Sequence, residues 1–148
     1  MTIKTLTAAD FDAVLDMMKV FYASEALLVH PQEQVLCRTL REAVAEGPYL
    51  TGYGFWEEET LTGYGMVTRS YSTETGGICV WIEDLYILPE YRGKGTGSAF
   101  LKFVEERYSG EAVRLRLEAE PENERAMAVY QKAGFEILGY TQLVKELA

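Results

Sequence analysis

Apolar positions along the chain follow two rhythms, and the change between them marks the elements. Ile3 to Leu6 reads as a short strand. Thr7-Ala8-Ala9-Asp10 then fits a capping box, and Phe11, Val14, Leu15, Met18 and Tyr22 recur at helical spacing. Pro31 suits the first turn of a second helix, with Val35, Leu36, Thr39, Leu40, Ala43 and Val44 as its buried stripe and Gly47-Pro48 as its stop. From Tyr49 the pattern turns to aromatic and β-branched runs. Residues 49–57 and 61–71 predict two antiparallel strands around Glu57-Glu58-Glu59. After the turn Thr75-Gly76-Gly77, residues 78–88 predict a long central strand that Pro89 ends.

A Gly-rich turn follows, then a helix to about Tyr108 with Phe100, Leu101, Val104 and Tyr108 on one side. Residues 112–119 alternate as a strand. Residues 122–133 carry Ala126, Val129, Tyr130 and Ala133 on one helical face, and 135–147 read as strand again, broken at Gly139. The order β-α-α-β-β-β-α-β-α-β predicts one α/β domain over residues 1–148, with hairpins first and helix crossovers after them.

Composition narrows the function. The 148 residues are 48% hydrophobic and 25% charged, ordinary globular usage. Fourteen basic against 23 acidic side chains give a net charge of −9. This lacks the basic footprint of a nucleic-acid binder and favours a small cationic ligand. Cys37 and Cys79 stand far apart in apolar settings and read as reduced core thiols, so neither a disulfide nor a metal site is expected. No run reaches the ~20 apolar residues of a membrane span, and Met1 to Thr5 does not open a signal peptide. A cytoplasmic protein without membrane partners is expected.

Three stretches carry chemistry. Arg92-Gly93-Lys94-Gly95-Thr96-Gly97-Ser98 lies between a buried strand and a helix. Its glycines let a ligand approach the backbone, and the free N–H groups of the helix start attract an anion. Arg92 and Lys94 add positive charge, so phosphate binding is the direct reading. The spacing fits neither a Walker A loop nor a dinucleotide fingerprint. Second, Glu83 and Asp84 interrupt the apolar strand and are expected on opposite faces. Burial would raise a carboxylate pKa, as suits a general base, and Glu83 is the stronger candidate. A structural hydrogen-bond acceptor or a dimer contact is the plainer reading. Third, Asn123 caps a helix that Gly134 ends and Phe135 follows, with Tyr130 on its apolar side, where alone it reads as core packing.

Together these stretches resemble the GNAT superfamily of acetyl-CoA-dependent N-acetyltransferases, over about residues 78–135. The cofactor motif is similar to Arg92 to Gly97 after Leu85-Tyr86-Ile87; the later motif is similar to Asn123, Ala126, Tyr130, Gly134 and Phe135. Ile82-Glu83-Asp84 and the turn behind it look most like the diamine (spermidine/spermine-type) members.

The resemblance implies a mixed, mostly antiparallel sheet of six to seven strands flanked by about four helices. It also implies a V-shaped split between two central strands, the one ending at Leu88 and the one beginning at Ala112. Acetyl-CoA would lie in that split as co-substrate, with no metal. Leu85, Tyr86 and Ile87 would pair with its pantetheine. Arg92, Gly93, Lys94, Gly95, Thr96, Gly97 and Ser98 would hold its pyrophosphate, and Asn123 belongs to the same set. A backbone N–H near Ile87 would polarise the thioester carbonyl. Glu83 would act as base, through water, and Tyr130 as acid for the leaving thiolate, with no acyl-enzyme. Phe21, Tyr22, Glu25 and His30 border the acceptor side, although Phe21 and Tyr22 alone read as core or interface and His30 as a loop residue. Phe135 to Ala148 leaves room only for a very short hairpin or one bent strand, so a homodimer partner is expected to complete that side.

The expected activity is acetyl transfer to a primary amine of a small molecule: a polyamine, amine metabolite or amine-bearing antibiotic. A peptide or protein amine is the alternative acceptor, and a non-catalytic CoA-binding sensor is the alternative of another class.

Overall fold

The computed structural model describes residues 1–25 and 27–148. Among these residues the α-helices and strands follow in chain order: β1 (Thr2–Thr5), α1 (Phe11–Tyr22), α2 (Glu33–Val44), β2 (Leu50–Glu57), β3 (Thr60–Ser72), β4 (Gly77–Ile87), α3 (Thr96–Tyr108), β5 (Ala112–Leu117) and α4 (Glu124–Lys132). The capping box forms, with the Thr7 N–H donating to Asp10 Oδ2 at 2.9 Å, and a short 3-10 turn leads into α1. Pro31 stands just outside α2, whose N-cap is Gln32.

The sheet runs in sequence order, β1-β2-β3-β4-β5. The first three pairings are antiparallel and β4–β5 is parallel. Helices α1 and α2 cover one face, burying Val14, Met18, Leu36 and Leu40 against Tyr64, Met66 and Tyr86. Helix α3 covers the other, burying Phe100, Leu101, Val104 and Tyr108 against Phe55, Val67, Val80 and Ile82. A Cβ on Gly65 would collide with the Phe100 ring, so glycine is what lets α3 seat directly on β3.

Two expectations are corrected. The sheet has five strands, not six to seven: residues 135–148 form no regular strand, although Tyr140 reaches Glu74 at 2.7 Å and Gln142 reaches Glu118 at 2.8 Å. Consequently β5 is an edge strand, and the split does not lie between two central strands. The parallel ladder closes at Ile82–Leu117, leaving Glu83 to Ile87 with no strand beside them on that side.

The second correction concerns the acids. The β3–β4 ladder pairs Met66 with Asp84 but Val67 with Ile82, so Glu83 is the extra residue of a β-bulge. The bulge changes the parity of the strand. Val80 and Ile82 face α3, whereas Asp84 and Tyr86 face α1. Glu83 also turns toward the α1 side, accepting a hydrogen bond from Thr68 Oγ1 at 2.9 Å. The carboxylates thus share a face instead of opposing each other. Glu83 is exposed, and the buried one is Asp84.

Candidate functional site

The open edge of β4 has a definite polarity. Leu88 N–H donates to Thr62 O at 2.8 Å, toward β3. Backbone groups alternate sides along a strand, so Leu85 and Ile87 turn theirs to the edge where β5 has ended. Tyr86 turns its backbone to β3 and its ring into the α1–α2 core, so of the three expected positions only Leu85 and Ile87 offer backbone to the opening.

The Gly-rich turn follows directly. Gly93 and Gly95 adopt left-handed φ of 75° and 81°, which a Cβ would strain, and Gly95 is the N-cap of α3. The first intrahelical bond is Ala99 N–H to Gly95 O at 2.9 Å. The N–H groups of Thr96, Gly97 and Ser98 precede it and have no intrahelical partner, and helix polarity makes their end positive. Lys94 is exposed and stands 5.3 Å from the Tyr91 ring centroid. Arg92 turns back instead: its Nε donates to Ile87 O at 2.7 Å, and its guanidinium lies 5.4 Å from the Tyr86 ring centroid.

A further cation is Arg125, on the first turn of α4. Its Nη2 lies 3.8 Å from where a Cβ on Gly93 would sit. The sequence pattern does not single it out, because α4 meets the turn only through the tertiary fold. Asn123 caps α4, its Oδ1 accepting from Ala126 N–H at 3.3 Å. These donors, left-handed glycines and cations fit a polyphosphate, and the unpaired edge of β4 fits an extended amide-bearing chain. That is the chemistry of CoA.

On the α1 face, Asp84 is 3% exposed. Tyr22 Oη donates to its Oδ1 at 2.5 Å and Tyr64 Oη to its Oδ2 at 2.8 Å. Burial pushes the Asp84 carboxyl up, the two hydroxyl donors oppose that, and the nearby Glu83 charge adds to the rise. Burial likewise raises the Tyr22 and Tyr64 hydroxyls, and the Asp84 charge raises them further. Phe21 packs edge-on to Tyr22 at 5.1 Å and lies 5.9 Å from Tyr86. His30 is exposed, its Nδ1 2.7 Å from Tyr22 O, and Glu25 is exposed.

Tyr130 lies on the other face, half-buried at the rim of the α3 cluster. Its ring meets Phe135 at 6.4 Å, and it lines a cavity of about 440 Å³ with Trp81, Leu117, Met127 and Ile137. Burial raises its hydroxyl. Glu83 and Tyr130 therefore flank β4 and β5 from opposite sides and do not touch. Among the described residues no His, Cys, Asp or Glu cluster is placed to hold a metal ion, and no helix is long and apolar enough to cross a membrane. Cys79 is buried and Cys37 half-buried, both as free thiols.

The chain is similar to known proteins. The family model for the acetyltransferase (GNAT) family matches residues 13–135. Thialysine N-epsilon-acetyltransferase of Bos taurus is 41% identical over 75 residues, which are 50% of this chain and 44% of that protein. The chain thus matches less than half the length of that relative. Spermine/spermidine N(1)-acetyltransferase of Bacillus subtilis is 26% identical over 93% of this chain and 88% of its own. The crystal structure of a possible acetyltransferase from Clostridium difficile 630 superposes with a TM-score of 0.86 at 20% identity, covering 99% of this chain and 97% of its own. This chain belongs to the GNAT acetyltransferase family.

Proposed function

We propose that this family member transfers an acetyl group from acetyl-CoA directly to a primary amine of a small molecule. The observation that carries the reading is the unpaired edge of β4 running into the free N–H groups of α3, with a carboxylate-and-tyrosine cluster on the opposite face of the same strand. One side suits the cofactor and the other an ammonium ion. The named acceptors of the relatives, thialysine and spermine or spermidine, are small amines.

In this reading Leu85 and Ile87 pair with the pantetheine, and the turn from Arg92 to Ser98, with Arg125 and the Asn123 end of α4, holds the phosphates. The acceptor arrives protonated, since a lysine-like amine has a pKa near ~10.4. Glu83, exposed at the opening, takes that proton through water. The amine nitrogen attacks the thioester carbon while the Ile87 N–H stabilises the carbonyl oxygen. The C–S bond breaks, the thiolate takes the Tyr130 proton, and the nitrogen of the new amide releases its second proton to water, which reprotonates Tyr130. An ordinary tyrosine already holds its proton at neutral pH, and burial raises the Tyr130 hydroxyl further. Phe21, Tyr22, Glu25 and His30 border the acceptor. The chain acts as a single domain in the cytoplasm, as a homodimer that uses the apolar tail.

The test is CoA thiol release from acetyl-CoA with spermidine, thialysine and an aminoglycoside as acceptors. Amine-dependent release that falls in Glu83→Gln or Tyr130→Phe supports the reading. Tight acetyl-CoA binding with no release for any amine favours a CoA sensor, and no CoA binding removes the proposal.

A further inference from the structure

We infer that Tyr22 is the group that accepts a hydrogen bond from the acceptor's ammonium, and that Asp84 and Tyr64 position it for that task. The inference rests on the acetyltransferase reading and adds what recognises the amine.

A tyrosine hydroxyl has one proton and two lone pairs. Tyr22 spends its proton on Asp84 at 2.5 Å, because an ionised carboxylate only accepts. Its oxygen can then offer a ligand nothing but lone pairs, so the ligand must donate. Tyr64 makes the matching bond to the other oxygen of Asp84 but is wholly buried, whereas Tyr22 is only half-buried and is the one of the pair nearer solvent.

Charge points the same way. The groups that act on Asp84 are two hydroxyls and the Glu83 carboxylate, and among the described residues no cation pairs with it. A buried carboxylate without a counter-ion is costly, and a cation brought close to it gains in the low-dielectric surroundings. The substrate's ammonium supplies that cation, seated on Tyr22 with Glu83 beside it. The bulge at Glu83 creates the arrangement, since without it Asp84 would face α3.

The rings hold Tyr22 in place: Phe21 lies 5.1 Å from Tyr22 and 6.4 Å from Tyr64. Asp84 is thus a positioning residue, acting through the Tyr22 oxygen. In Asp84→Asn the negative charge behind Tyr22 is lost, and only one of the two tyrosines can still donate to the side chain, so the hold on an ammonium weakens.

The experiment titrates spermidine and thialysine into protein saturated with CoA, by calorimetry at pH 8, for the unaltered chain, Tyr22→Phe, Asp84→Asn and the double variant. CoA affinity is measured in parallel. The expected result is amine binding weakened about tenfold or more in each single variant, the loss of one hydrogen bond to a charged group. CoA affinity is expected to be unchanged, and the double variant no weaker than the worse single one. Should Asp84→Asn fail to fold, Tyr22→Phe alone decides, because it keeps the Asp84–Tyr64 bond. Amine affinity within twofold of the unaltered chain in Tyr22→Phe overturns the inference, as does additive loss in the double variant. CoA binding with neither amine bound also overturns it, whereas loss of CoA binding in the unaltered chain overturns the acetyltransferase reading instead.

Discussion

Arg92 Nε donates to the carbonyl oxygen of Ile87 at 2.7 Å and thereby fastens the Gly-rich turn to the end of β4. The bond joins the two parts of the proposed cofactor site: the strand edge for the pantetheine and the helix start for the phosphates. Arg92→Ala removes a charge-assisted hydrogen bond of about 1.5–3 kcal/mol and frees the turn. CoA affinity by calorimetry should fall at least about tenfold. Arg92→Lys restores the charge but not the directed Nε bond, and should recover only part of the loss. Full affinity in Arg92→Ala would show that the turn holds its shape without this bond.

Glu83 is exposed, so Glu83→Gln should change stability by no more than about 0.5 kcal/mol in urea unfolding. In the same variant kcat should fall by about 10²-fold, if the base is Glu83. Deletion of Glu83 is a different experiment. It removes the extra residue, so Ile82 and Asp84 become neighbours that keep their partners Val67 and Met66 and their opposite faces. The deletion should therefore still unfold cooperatively by circular dichroism, with Asp84 on the α1 side, while activity falls as in Glu83→Gln. A deletion variant that loses cooperative unfolding would contradict this account of the strand.

This bulge also shows where the sequence stops being readable. Residues 78–88 are apolar at almost every position, so a change of parity leaves no trace in the pattern. A carboxylate pair was legible; which member is buried was not, because the bulge is decided by how β4 pairs with β3. The stripe of Phe100, Leu101, Val104 and Tyr108 was fully legible, since helix period and burial coincide there. The Gly-rich turn was legible because left-handed φ selects glycine. Residues 135–148 have strand-like composition, but a strand exists only through a partner, and composition does not supply one. Arg125 was hidden because its nearness to Gly93 comes from the docking of α4.

Asp84 gives the protein's stability a pH dependence of definite sign. Its folded-state pKa is raised, chiefly by burial, above the ordinary value of 3.8. In that interval the native state binds more protons than the unfolded state, so this group's contribution to stability falls as pH rises. It is fully present below 3.8 and lost as pH climbs through the raised value. Asp84→Asn does not titrate. The stability of the unaltered chain relative to Asp84→Asn should therefore grow as pH is lowered from 8 toward 4, read from urea midpoints. A difference that shrinks on acidification would mean that the tyrosine hydrogen bonds outweigh burial.

Gly65 lies directly beneath Phe100, and Gly65→Ala should destabilise by about 1–3 kcal/mol through overpacking. Phe100→Leu in the same chain relieves the collision, so the double variant should be less destabilised than the two single costs added together. Equal or greater loss in the double variant would place the strain elsewhere than at this contact.

The tail carries the proposed dimer. Tyr140 and Gln142 pin it to Glu74 and Glu118 through polar bonds, while Leu143, Val144 and Leu147 stand 93%, 85% and 91% exposed. Separately, β5 keeps a free edge, and Val113 on it is 56% exposed. Exposed apolar side chains and an unpaired strand edge mark association surfaces, and a second copy of the chain offers the same surfaces in return. Light scattering at micromolar concentration should give twice the chain mass. Leu143→Glu combined with Leu147→Glu should return it to the single-chain mass without lowering CoA affinity, because neither residue touches the Gly-rich turn. An unaltered chain that stays monomeric would remove the dimer. Loss of CoA affinity in the double variant would mean that the tail supports the cofactor side instead.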